Sequence, residues 1–166
     1  MMDNPFEFAG YASVFSLADL SGDRVQMGAF GRSLKARGPS GLRMLWNHDP
    51  AEPIGVWTAV REDLYGLYVE GHLTPGVERA QALTALIKDG AVDGLSIGFH
   101  TVRADRKRGT SGRRLIDVDL WEISLVAFPM QPGARITRFD DEPASQQTPD
   151  FVPPTPVQAQ PQPAAF

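Results

Sequence analysis

The chain contains no cysteine. That absence removes disulfides, thiolate metal sites and a cysteine nucleophile together, so any covalent chemistry here has to use a hydroxyl, an amine or a carboxylate. Apolar runs of membrane-spanning length are missing too, and the first residues, Met1-Met2-Asp3-Asn4-Pro5-Phe6-Glu7, carry no basic region leading into an apolar stretch. The expectation is a soluble protein made in a cytoplasm, with no membrane partner. Positive charge is scarce: 16 Lys and Arg against 20 Asp and Glu give a net charge of −4 and a pI of about 5.3. Phosphate contacts need a basic surface, which argues against a general nucleic-acid binder. The one basic cluster, Arg103-Ala104-Asp105-Arg106-Lys107-Arg108, includes an acid and lies in Gly/Ser-rich turn sequence, so it reads as a solvated hairpin tip. Histidine is limited to His48, His72 and His100, which lack the close spacing of zinc motifs, and no metal or cofactor is expected.

What is present is a chain of 166 residues, 42% of them apolar, long enough for one domain with a proper core. The body is expected to span residues 1–139. From Asp140 to Phe166 come seven of the 14 prolines, interleaved with Gln, Ala and Thr, a composition that cannot bury enough apolar surface to offset its ordering entropy. Residues 140–166 therefore read as a disordered tail.

Within the body, Phe6 to Phe15 reads as a strand, Asp19 to Asp23 as a loop, and Gly28-Ala29-Phe30 as the entry to a short helix that stops at Gly38-Pro39. Leu42 to Trp46 is a strand that delivers Asn47 and His48 into a loop. Ile54 to Val60 and Leu67 to Leu73 form a hairpin across residues 62–66. A helix is predicted from Pro75 to Asp89, capped by Thr74, ended by Gly90, and burying Val77, Ala80, Leu83, Leu86 and Ile87. Leu95 to Val102 and Leu115 to Val126 make a second hairpin around the Arg/Gly turn. Seven or so strands with two helices, without βαβ alternation, predict a mainly β (α+β) barrel with flanking helices.

The segment with chemical content is Gly94-Leu95-Ser96-Ile97-Gly98-Phe99. Period 2 puts Leu95, Ile97 and Phe99 on one strand face and Ser96 on the other with Gly94 and Gly98, whose missing side chains leave space for another backbone, such as a substrate strand. A serine hydroxyl is a poor nucleophile near neutral pH unless a base takes its proton. His48, at a strand end in Trp46-Asn47-His48-Asp49, is the candidate base; the plain alternative is a polar turn. Glu122, a carboxylate inside the apolar run Leu120 to Phe128, is costly to bury unless paired, so something should face it; otherwise it points to water from an edge strand. Asp117 and Asp119 are weaker candidates for the same role on a solvent face. Ser124 reads as a packed strand serine, His72 and His100 as surface or hairpin residues, and Lys88 as a complement to its helix dipole.

Taken in order, Gly10-Tyr11-Ala12-Ser13-Val14-Phe15, Gly28-Ala29-Phe30, Trp46-Asn47-His48, Pro53-Ile54-Gly55, Gly94 to Phe99, and Glu122 to Val126 with Pro129 resemble the tailed-phage prohead protease family, capsid maturation serine proteases related in fold to herpesvirus assemblin. The resemblance covers about Phe6 to Ile136. It implies a herpesvirus-protease-like barrel and a serine endopeptidase with Ser96 as nucleophile, His48 as base and Glu122 as third member, the phage branch using an acid where the herpesvirus branch uses histidine. The loop Phe128 to Arg135 would supply the oxyanion hole, with Met130, Gln131 and Gly133 as candidates, since Pro129 and Pro132 have no N–H to give. The implied partners are the major capsid protein and its scaffolding segment inside an assembling prohead in a bacterial host, with self-cleavage usual in the family. A homodimer is left open by analogy with the herpesvirus enzymes.

Two other functions compete on sequence alone. One is an inactive capsid-assembly or scaffold-binding barrel, although all three residues are retained here. The other is an esterase, but Gly94-Leu95-Ser96-Ile97-Gly98 follows a helix and opens a strand, the reverse of a nucleophile elbow.

Overall fold

A computed structural model describes residues 5–106, 108–109 and 111–140. Of the predicted tail, residues 140–166, Asp140 ends a strand paired to Glu7 and the rest lies outside the described residues, as does part of the Arg/Gly turn. The elements, in chain order, are β1 (Phe6–Val14), β2 (Arg24–Val25), α1 (Gly31–Arg37), β3 (Arg43–Trp46), β4 (Asp49–Glu62), β5 (Gly66–Leu73), α2 (Glu78–Lys88), β6 (Gly94–Asp105), β7 (Arg114–Val126) and β8 (Arg135–Asp140).

Strand pairing runs β7-β3-β4-β5-β1-β8-β6 and returns to β7, so seven strands close a barrel and no edge is left along that circuit. The two-residue β2 adds to β7 in parallel at Arg114 and Leu115, beyond the point where β3 pairs with it. β3 also runs parallel to β7, while the other pairings are antiparallel. The barrel is filled by alternating strand residues, among them Met44, Ile54, Leu67, Val69, Leu95, Leu120, Ile123 and Leu125, each almost wholly removed from water.

The predicted strands are all present, with two additions: β2 and β8, too short or too polar in pattern to be read. The helix α2 starts later than predicted. Thr74-Pro75-Gly76 forms a turn instead, with Val77 N–H donating to Thr74 O at 3.4 Å and Gly76 at φ 82°, so Val77 occupies the capping position and the Thr74 cap is not formed. Ala80, Leu83 and Ile87 face the core and Val77 packs against it, but Leu86 is 40% exposed. Gly90, at φ 73°, does end the helix region.

The first helix has an unpredicted cap from across the barrel. Glu62 at the end of β4 accepts the N–H of Gly28 at 2.9 Å and of Phe30 at 2.8 Å through its two carboxylate oxygens, satisfying donors that α1 cannot. Arg32 and Arg37 of α1 then pair with Asp117 and Asp119 of β7. These contacts fix α1 against the strand that carries Glu122.

Candidate active site

Three strands build the site. β6 and β7 pair with Ser96 opposite Ser124 and Gly98 opposite Glu122, so period 2 places all four on one face of the ladder. On the other side of β7, β3 sets Trp46 beside Leu125 and brings the next two residues over that face. Asn47 and His48 are not an open loop, as the sequence had implied, but the two-residue turn of a tight β3–β4 hairpin, with Trp46 paired to Asp49.

Both turn residues have left-handed backbones, Asn47 at φ 49° and His48 at φ 60°. Two positive φ angles suit the right-handed twist of a hairpin, and asparagine accepts the first readily. Histidine accepts the second at a cost on the order of 1–3 kcal/mol. Two bonds to β7 hold it there: Asn47 N–H donates to Leu125 O at 3.0 Å, and His48 N–H donates to Ser124 Oγ at 3.1 Å.

The imidazole reaches both ways. His48 Nε2 lies 3.0 Å from Ser96 Oγ, and Nδ1 is hydrogen-bonded to Glu122 Oε1. An ionised carboxylate only accepts, so the Nδ1 proton points to Glu122 and the neutral ring offers its lone pair at Nε2 to the Ser96 hydroxyl. Hydrogen bonding from Glu122 and its negative charge hold the His48 pKa above the ordinary value of 6.5, while partial burial works in the opposite direction. The second Glu122 oxygen accepts the Ser124 hydroxyl at 2.6 Å. In this geometry Oγ can lose its proton to Nε2, and Glu122 can stabilise the imidazolium that results.

The two glycines flanking Ser96 serve a different purpose from the one the sequence implied. A Cβ at Gly98 would stand 2.7 Å from Glu122 Cδ, and one at Gly94 would meet Val126 O at 2.6 Å and the Pro129 ring at 2.8 Å. The space expected to admit another backbone, a substrate strand among the candidates, is filled at Gly94 by the Val126 backbone and the Pro129 ring and at Gly98 by the Glu122 carboxylate. Gly98 is what allows Glu122 to lie across β6 towards His48.

Beside Ser96 opens a cleft lined by Ala12, Val25, Ile97, Leu115, Met130 and Gln131, among others. Two of the three predicted oxyanion residues, Met130 and Gln131, thus border it with Ser96. Gly133 does not line it; a Cβ there would meet Leu17 Cδ2 at 2.8 Å. The Gln131 side chain is spent on docking the loop, accepting Val14 N–H at 2.6 Å and donating to Val14 O at 3.0 Å and Leu17 O at 2.8 Å. A second clamp closes the cleft wall. Asp23 takes Arg113 N–H at 2.7 Å and the guanidinium at 2.6 and 3.0 Å, and these bonds hold its carboxyl below the usual range.

The remaining sequence candidates lie elsewhere. Asp117 and Asp119 are paired to α1, His72 bonds at 3.4 Å to Leu73 O, and His100 packs edge-on against Trp121 at 5.3 Å between ring centroids. Lys88 closes α2 with its ammonium 5.7 Å from the Phe6 ring centre. Ser124 is fully buried, as a packed strand serine should be, but its hydroxyl is bonded on both sides to the His48–Glu122 pair. Its role follows from its register opposite Ser96, which no feature of the strand's own sequence states.

The chain has relatives. The chain is 40% identical over 131 residues to the prohead protease of Enterobacteria phage HK97, covering 78% of this chain and 58% of that protein. It is 34% identical over 102 residues to the capsid polyprotein of Pseudomonas phage PAJU2, covering 58% of this chain and 15% of the polyprotein. The chain thus spans under two thirds of the length of these relatives. Among solved structures, the capsid assembly protease gp21 of bacteriophage T4 shares the fold with a TM-score of 0.59 at 13% identity, covering 72% of this chain and 80% of that one. The KSHV protease in complex with a hexapeptide phosphonate inhibitor matches with a TM-score of 0.57 at 13% identity, covering 84% and 66%. The family described as Caudovirus prohead serine protease matches residues 2–147. The chain belongs to the caudovirus prohead serine protease family.

Proposed function

We propose that this chain is a serine endopeptidase of prohead maturation in which Ser96 is the nucleophile, His48 the general base and Glu122 the residue that orients and stabilises the imidazolium. The observation that carries it is a single imidazole spanning Ser96 Oγ at Nε2 and Glu122 at Nδ1. Ser96 Oγ attacks the scissile carbonyl carbon as its proton passes to Nε2. The tetrahedral intermediate collapses, His48 protonates the leaving amine, and water repeats the sequence on the acyl-enzyme. For the oxyanion we assign the backbone N–H groups of Met130 and Gln131, two residues that line the cleft and whose N–H groups donate to no backbone carbonyl among the described residues. One such donor contributes about 3 kcal/mol to the acylation barrier.

The substrate in this reading is scaffold, or an N-terminal scaffolding segment of the major capsid protein, and the chain itself. Similarity to a protein described as a capsid polyprotein, of which the match covers 15%, supports it. The place of action is the prohead assembling in a bacterial host. Among the described residues no helix is long and apolar enough to cross a membrane. In this reading the protease body ends with β8 at Asp140, one residue beyond the expected 1–139, and the remainder is the first place to look for self-cleavage.

The test is co-expression of this chain, as parent and as Ser96→Ala, with the major capsid protein encoded beside it, both weighed by intact mass spectrometry. Loss of an N-terminal capsid segment with the parent alone is expected. An unprocessed capsid protein in both, inside fully assembled proheads, would leave the chain as a scaffold-binding barrel.

A further inference from the structure

Ser124 is the only described residue that bonds to both His48 and Glu122 without being either of them or the nucleophile. Its hydroxyl accepts the His48 backbone N–H at 3.1 Å and donates to Glu122 Oε2 at 2.6 Å. The first bond restrains a histidine whose φ is 60°, a conformation the turn requires but a non-glycine residue adopts at a cost. The second occupies the carboxylate oxygen that does not face the imidazole. A hydroxyl has one proton to give and lone pairs to accept with, so both bonds form together. Being wholly buried, Ser124 exchanges neither partner for water.

Resting on the serine-endopeptidase reading above, we propose that Ser124 is a positioning residue: it couples the backbone of the His48 turn to the Glu122 carboxylate, so that one hydroxyl sets the distance between base and orienting acid. Without it, the His48 N–H and one Glu122 oxygen lose a partner in a partly buried place, and the carboxylate is free to rotate towards solvent. The imidazole then loses the contact that raises its proton affinity and fixes its tautomer. Register explains why a serine serves here. Position 124 is opposite Ser96 and beside Leu45, on the strand face that also carries Glu122, and from there one hydroxyl reaches both groups.

The experiment has two readouts on parent, Ser124→Ala and Ser124→Thr. The His48 ring is titrated by NMR, and the rate of covalent labelling by a fluorophosphonate is followed across pH; in that reaction Ser96 Oγ bonds phosphorus, fluoride leaves and the serine proton passes to His48. Ser124→Ala is expected to remain folded, lower the His48 pKa towards 6.5 and slow labelling about 10–100-fold, the size of a lost positioning contact, whereas Ser124→Thr, which keeps the hydroxyl, recovers most of both. If the parent does not label but its His48 pKa still falls in Ser124→Ala, the endopeptidase reading fails and the positioning role stands. An Ser124→Ala protein with the parental His48 pKa and the parental labelling rate overturns the proposal. Should Ser124→Thr prove unfolded, the Ser124→Ala titration alone decides.

Discussion

Gly98 lies directly opposite Glu122 across the β6–β7 ladder, and the glycine's missing side chain is the space the Glu122 carboxylate crosses to reach His48. The acid is therefore aimed by the strand opposite it as much as by its own.

Gly98→Ala follows from that relationship. The group it strikes is the far end of a flexible side chain, so Glu122 swings aside and the barrel stays intact. Activity is expected to fall on the order of 100-fold, the scale of a displaced catalytic group, with a melting temperature within a few degrees of the parent. Peptidase assay beside thermal melting checks it, and an unfolded variant would mean the strand itself needs glycine.

Gly66→Ala should do the opposite. A Cβ there runs into the Ser13 carbonyl oxygen across the β1–β5 pairing, where both partners are backbone in a barrel and neither can yield. A loss of about 3 kcal/mol, roughly 10 °C in melting temperature, is expected, with the residual folded protein fully competent.

The pH dependence has a definite sign. His48 must be neutral to accept the Ser96 proton, and Glu122 raises its pKa, so the acid limb of kcat/KM should have its midpoint above about 6.5. Glu122→Gln should move that midpoint down and cut the rate by about a thousandfold or more. Stability runs the other way. A folded pKa above the unfolded one stabilises below about pH 6.5, and the contribution fades as pH rises through the folded value. Chemical denaturation of parent and Glu122→Gln should therefore differ most in mild acid and converge above neutrality.

The Asp23–Arg113 clamp predicts a stability effect with the reverse pH profile. Asp23→Asn removes a charge-assisted pair bond from the cleft wall and should cost about 2 kcal/mol near neutral pH. Because Arg113 depresses the Asp23 pKa, its contribution is complete above about pH 4 and is lost as pH falls through the lowered value. Urea titrations at pH 7 and pH 3 should show the gap between parent and variant closing on acidification.

Much of this was legible in the chain. Period 2 separated Ser96 from Leu95, and the rule that a buried carboxylate needs a partner pointed to Glu122 and to something facing it, which is His48 and Ser124. What stayed hidden depended on register. Whether Gly98 made room for a substrate or for Glu122 turns on which β7 residue stands opposite, and no periodicity within one strand states that. Ser124 is packed, as its sequence implies, but a packed hydroxyl looks the same in sequence whether it is bonded to its own backbone or to the His48–Glu122 pair. The Asn47–His48 turn was hidden because β4 begins at Asp49, with two prolines that mask its strand character. β2 and β8 carry too few apolar residues to be seen before the barrel closes around them.

In the proposed mechanism His48 and Glu122 together make Ser96 a nucleophile. The most direct measurement is fluorophosphonate labelling of the full chain, with the adduct located by peptide mass spectrometry, in the parent and in His48→Ala. One adduct on Ser96 in the parent, slowed by about ten-thousandfold in His48→Ala, is the expected result. An adduct on another serine, or labelling of Ser96 at the same rate in both proteins, would contradict it.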